Sequence, residues 1–202
     1  MGETLVDETR AWTLEARRAG VTPLTLFAVL GAVIERGDDH RSLWTLLNCE
    51  PPKAPVRFDE GDFYPDALPC LRAAIAAGLK VGVAGNQPEA TERMLHRLDI
   101  PIDLIASSSR WGVEKPSLDF FQRVSTELGL ETPRIAYVGD RLDNDVLPAK
   151  ASGMVAVFVR RGPWGHLHAL RPDVTAADLR LDGLTTLIPA LLAMRTEGPP
   201  NN

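Results

Sequence analysis

From Pro65 onward, short apolar runs alternate with segments of helical periodicity, and this alternation constrains the fold more than any other feature of the chain. Strands are expected near 79–84, 102–106, 135–138 and 155–159. Between them, Leu68, Leu71 and Ile75, and then Leu118, Phe121, Val124 and Leu128, follow helical spacing. Alternating βα units build a doubly wound parallel sheet, so the predicted class is α/β. Before Pro65 the signals are helical. Residues 8–19 form a helix ending at Gly20. Thr22 and Pro23 supply an N-cap and a first helical residue for a second, with Leu26, Phe27, Leu30, Val33 and Ile34 on one face, and residues 40–47 form a short third. The Pro-rich stretch 51–55 breaks the pattern, and the polar tail 197–202 is expected to fray.

Composition excludes several function classes. At 202 residues the chain suits one domain with an accessory insertion. Its 45% apolar and 24% charged residues are ordinary for a soluble globular protein. No apolar run is long enough to span a bilayer and no basic segment precedes one at the N-terminus, which predicts a cytoplasmic protein with no membrane partner. Cys49 and Cys70 form no CxxC motif and read as reduced thiols. A net charge of -5 with scattered Arg argues against a nucleic-acid partner.

Three loops carry chemistry. The stretch Tyr137-Val138-Gly139-Asp140-Arg141-Leu142-Asp143-Asn144-Asp145 places two carboxylates five apart on the loop leaving an apolar strand. In open α/β sheets ligands bind at that edge. A hard ion such as Mg²⁺ is commonly held by one or two carboxylates plus substrate phosphate. The plainer reading makes Asp140 a turn residue and Asp145 a helix cap. Glu114-Lys115-Pro116 follows an irregular segment, 107–112. The chain has 18 Arg and four Lys, so a Lys here suggests a compact point charge for a phosphate, against the plainer reading of a surface Lys. The third loop, Gly85-Asn86-Gln87-Pro88, follows a buried strand, and Asn86 can present its amide to an anion or cap the next helix.

In this order and spacing the three loops resemble the haloacid dehalogenase-like (HAD) hydrolase superfamily, over almost the whole chain. The resemblance implies a Rossmann-like core, residues 1–11 and 62–202, with a small helical cap, 12–61, and a Mg²⁺-dependent phosphatase acting on a small phosphorylated substrate. It assigns Lys115 and Asp140 to catalysis, Lys115 with Gly85 and Asn86 to phosphoryl binding, and Asp140 and Asp145 to the metal. Gly85 stands where the family carries Ser or Thr. Aligned on Thr4, Leu5 and Asp7, Met1 falls just after the family's nucleophilic Asp, so the 202 residues lack the nucleophile and the strand that carries it. Gly2 falls on the second Asp, where its carbonyl can still be a metal ligand but cannot act as a general acid. The leading expectation is a phosphohydrolase whose written sequence starts late, catalytically incomplete as it stands. A non-catalytic module binding a phospholigand or protein is the alternative, supported by Gly2 and Gly85. A dehalogenase is less favoured, because that chemistry does not need the Asp140 and Asp145 metal site.

Other candidates carry plainer readings. His166 and His168 are read as residues of a solvated loop, and His40 and His96 as surface histidines. Trp12, Phe27 and Trp44 suit cap packing or a substrate pocket.

Overall fold

The computed structural model describes residues 1–53 and 56–197; the tail beyond Glu197, where fraying is expected, and two residues of the Pro-rich break lie outside them. The chain opens with a tight turn in which the Met1 carbonyl accepts from the Leu5 and Val6 amides, at 2.8 and 3.1 Å. Three helices follow: α1 (Thr9–Arg18), α2 (Pro23–Arg36) and α3 (Ser42–Leu46). Thr22 caps α2 as its sequence suggests, its side chain accepting from the Thr25 amide with Pro23 in the first turn. Ala16, Leu26, Leu30, Val33, Ile34 and Leu43 form a cluster of their own, closed on one side by Trp164.

The second half alternates as expected: α4 (Ala67–Ala76), β1 (Gly82–Gly85), α5 (Glu89–Leu95), β2 (Leu104–Ser107), α6 (Ser108–Trp111), α7 (Leu118–Leu128), β3 (Ala136–Gly139), α8 (Leu147–Ala151), β4 (Val155–Val159), α9 (Gly162–His168), β5 (Leu179–Leu181) and α10 (Leu187–Glu197). All strand pairs are parallel, with Gly82 opposite Leu104, Ala136 opposite Val155 and Val157 opposite Leu179. The ladders fall into two groups, β1-β2 and β3-β4-β5. Both groups share two apolar faces. Val81 and Val83 pack with Val157 and Val159 on one face, while Leu104 and Ala106 pack with Tyr137 and Phe158 on the other. Thus β1 and β3 lie edge to edge without a ladder, and the Tyr137 hydroxyl crosses the interval to donate to the Ala84 carbonyl at 3.1 Å. Directly paired strands sit about 4.8 Å apart and bond through backbone alone.

Local differences have physical causes. The segment 107–112 is not irregular: Ser107 caps the short α6, and Gly112, at φ 68°, ends it in the left-handed region. In α7 it is Phe120, next to Phe121, that is buried, while Leu118 at the first turn is 51% exposed. His166 and His168 lie in α9 rather than in a loop, and His168 is buried. His40 is half-buried, between the Trp12 and Trp164 rings at 6.5 and 6.0 Å. His96 is exposed, and Cys49 and Cys70 are free thiols. No single helix among the described residues is long and apolar enough to cross a membrane.

Candidate active site

The carboxyl ends of β1 and β3 bring three sequence-distant groups together. Asp140 follows Gly139 at the end of β3, and residues 141–146 make a wide turn in which the Arg141 carbonyl accepts from both the Asp145 and Val146 amides. That turn folds Asp145 back over the strand end. A Cβ at position 139 would overlap the Asp145 carboxyl, so glycine is required there for close approach rather than for an unusual dihedral. Asp145 Oδ2 accepts from the Arg141 amide at 3.1 Å, and Oδ1 is ion-paired with Lys115 Nζ. Lys115, Asp140 and Asp145 are 8%, 5% and 3% exposed, so the pairing takes place away from bulk water.

Asn86 positions Lys115. Its Oδ1 accepts from the Lys115 amide at 2.8 Å and its Nδ2 donates to the Lys115 carbonyl at 2.9 Å. One Nδ2 hydrogen remains beyond these two bonds. The cap of α5 is Pro88, so Asn86 does not serve there. At Gly85 a Cβ would meet only Gln87 Cγ at 3.7 Å and the Met1 nitrogen at 3.9 Å; the strand end has room for a side chain it does not carry.

Burial and charge act together on Lys115 and Asp140. Burial works against the Lys115 charge, yet the adjacent Asp145 carboxylate outweighs it and holds the ammonium above its ordinary range. Burial, reinforced by the Asp145 charge, pushes the Asp140 carboxyl well above the carboxylate range. A cation beside it would offset that burial and restore the carboxylate. Among the described residues no set of three or more acidic, His or Cys side chains is arranged to hold a metal ion. Two carboxylates suffice for Mg²⁺ when phosphate and water complete its oxygens. By their chemistry Asp140 and Asp145 suit that ion, and the Gly2 carbonyl, which among the described residues accepts a 3.4 Å bond from the Thr4 hydroxyl, is a further hard oxygen.

Several supporting residues escape sequence reasoning. Leu142 N donates to Nδ1 of buried His168 at 3.0 Å, and burial lowers the His168 pKa, keeping the ring a neutral acceptor. Arg141 pairs with Asp143 at 2.7 Å and lies 4.9 Å over the Trp164 ring. Together these contacts fasten the loop after β3 to α9. Glu8 is the larger omission: a Cβ on Gly2 would fall on its carboxyl, so Glu8 fills the volume that a longer residue at position 2 would use. An acid six residues past a glycine gives no sequence signal for that.

Glu8 should make stability depend on pH. Burial first, then the Glu3 charge, pushes its carboxyl from 4.5 up to about 7. The folded protein keeps this proton to about pH 7 while the unfolded chain releases it near 4.5, so stability falls as pH rises through that window. At about 1.4 kcal/mol per unit, the loss is up to roughly 3 kcal/mol. Glu8→Gln is expected to exceed the wild type in urea resistance at pH 8 and to match it near pH 4.5. An equal difference at both pH values would contradict this.

Comparison with known proteins agrees with the geometry. Residues 4–153 match the haloacid dehalogenase-like hydrolase family. The chain is 33% identical over 129 residues to the glyceraldehyde 3-phosphate phosphatase of Methanocaldococcus jannaschii, covering 62% of this chain and 54% of that protein. It is 29% identical over 161 residues to the phosphoglycolate phosphatase of Rhodospirillum rubrum, covering 78% and 66%. The chain thus spans about half the length of the first of these relatives. The crystal structure of a HAD phosphatase from Thermococcus onnurineus shares the fold, with a TM-score of 0.60 and 22% identity over 95% of this chain and 94% of that one. With the family match covering both the 85–86 and the 139–145 loops, the chain belongs to the haloacid dehalogenase-like hydrolases.

Proposed function

We propose that the protein is a Mg²⁺-dependent phosphatase of a small phosphorylated metabolite, with its phosphoryl- and metal-binding groups at the carboxyl edge of the sheet. The observation that carries this reading is the buried trio of Lys115, Asp140 and Asp145 at one sheet edge, with Lys115 and Asp145 ion-paired. Relatives named for glyceraldehyde 3-phosphate and phosphoglycolate support the substrate class. The cap and core division, residues 12–61 against the rest, belongs to the same proposal, as does a cytoplasmic location.

In this reading Lys115 Nζ neutralises the phosphoryl oxygens, held in place by Asn86 through its backbone. Asp140, Asp145 and the Gly2 carbonyl hold Mg²⁺, which when bound supplies charge stabilisation to the phosphoryl group. Covalent chemistry of this type needs an attacking aspartate at the same sheet edge. A non-catalytic phospholigand-binding role is the second reading, favoured by the bare positions at Gly2 and Gly85.

Calorimetric titration with Mg²⁺ tests the site. Weak binding is expected in the wild type and a loss of roughly tenfold or more in Asp140→Asn and in Asp145→Asn, about 1.4 kcal/mol each. Unchanged affinity in both variants would remove the site.

A further inference from the structure

Beside the phosphoryl site, between the cap helices and the sheet edge, lies a cavity of about 320 Å³. Its walls combine three aromatic rings, Trp12, Phe27 and Tyr64, with two carboxyls, Glu3 and Asp7, and among the described residues no Lys, Arg or His lines it. Arg161, whose guanidinium sits 4.3 Å over the Tyr64 ring, is engaged by Asp66 and the Thr4 carbonyl. Neither Glu3 nor Asp7 forms an ion pair among the described residues. Glu3 accepts from the Tyr64 hydroxyl at 2.6 Å and the Glu8 amide at 3.0 Å, and Asp7 Oδ1 accepts from the Thr9 amide at 2.8 Å.

Glu3 also sits at φ 51°, in the left-handed region that a long side chain rarely adopts, with its side chain packed where a Cβ on Gly162 would fall. Such outliers persist where the surroundings enforce them and concentrate at ligand sites. Aromatic faces together with carboxylates select a positive charge that is weakly hydrated. The cavity also adjoins the phosphoryl edge: Glu3 lines it, Trp12 Nε1 donates to Glu8 Oε2 at 3.4 Å, and the charges of Glu3 and Glu8 both reach Asp140.

We propose that this cavity binds an alkylammonium group, so that the substrate of the neighbouring site is an aminoalkyl phosphate ester. The proposal rests on the phosphatase reading for the phosphoryl half and goes beyond it in naming the organic half. An ester of this kind sets its phosphoryl group against Lys115 and its cation among Trp12, Phe27 and Asp7.

Calorimetry on the intact chain separates the two claims by using the halves as probes. Choline is expected to bind at least tenfold more tightly than 3,3-dimethyl-1-butanol, its neutral isostere. Asp7→Asn, which keeps the acceptor for Thr9, and Trp12→Phe, which keeps an aromatic wall, should each weaken choline binding at least threefold. Inorganic phosphate in Mg²⁺ serves as the second titrant. Phosphate binding that depends on Lys115, with choline no tighter than its isostere, overturns the cationic substrate and leaves the phosphatase reading intact. Choline selectivity without Lys115-dependent phosphate binding sustains the ammonium site and overturns its coupling to a phosphoryl substrate. Equal choline affinity in the wild type and both variants places the cation elsewhere and overturns the assignment to this cavity.

Discussion

Assayed as the 202 residues alone, the protein should hydrolyse no phosphate ester above the Mg²⁺ blank, whereas a version extended upstream of Met1 by an apolar strand ending in Asp should be active. The expected difference is on the order of 10³-fold or more, the scale at which loss of a nucleophile acts in other hydrolases. Position is the reason. The Met1 nitrogen lies 3.9 Å from the Cβ site of Gly85, and its buried amino group feels the charges of Lys115, Asp145 and Asp140. An aspartate placed one residue earlier therefore enters the same cluster. In the proposed reading Lys115 neutralises the phosphoryl group and is not the attacking group. Turnover by the 202-residue chain that disappears in Lys115→Ala would show that another residue carries the attack. An extended protein that folds and binds Mg²⁺ yet hydrolyses no ester would move the non-catalytic reading to first place.

The same extension should raise stability, by about 2–5 kcal/mol. Among the described residues β1 and β3 share no ladder, and the Tyr137 hydroxyl bonds across to Ala84. A strand set there gains backbone hydrogen bonds on both edges and buries alternate side chains against the two apolar faces. Each buried aliphatic side chain contributes roughly 1.5–3 kcal/mol, and ordering each residue costs about 1–2. The net gain is a few kcal/mol, a large share of the 5–15 kcal/mol typical of a domain. In urea this should move the midpoint by about 1–2 M. Identical midpoints for the two proteins would show that β1 and β3 do not flank a strand position.

Much of the fold is legible because its signals are local. The run Val155–Val159 is found as a strand at its expected residues, and Thr22 with Pro23 starts α2 through capping chemistry confined to four residues. Lys115, Asp140 and Asp145 stand out for the same reason: each sits in a short loop with distinctive neighbours. What the sequence does not reveal depends on contacts far along the chain. Asn86 acts on a backbone 29 residues away, and His168 accepts from an amide 26 residues away, so one looks like an anion ligand and the other like a loop residue. Glu3 and Glu8 acquire their settings only when the opening turn docks against Gly162 and folds Gly2 under Glu8. Strand pairing is equally non-local, and nothing in the apolar runs says that β1 and β3 adjoin without pairing.

Phosphate affinity in Mg²⁺, measured by calorimetry for the wild type and for Lys115→Met, decides whether this sheet edge binds a phosphoryl group. Methionine keeps much of the lysine volume and removes the charge that Asp145 holds at the sheet edge. A charge-assisted contact of about 1.5–3 kcal/mol predicts roughly tenfold to a hundredfold weaker phosphate binding in the variant. Equal affinity in two folded proteins would show that Lys115, Asp140 and Asp145 form a structural ion-pair cluster and not a phosphoryl site.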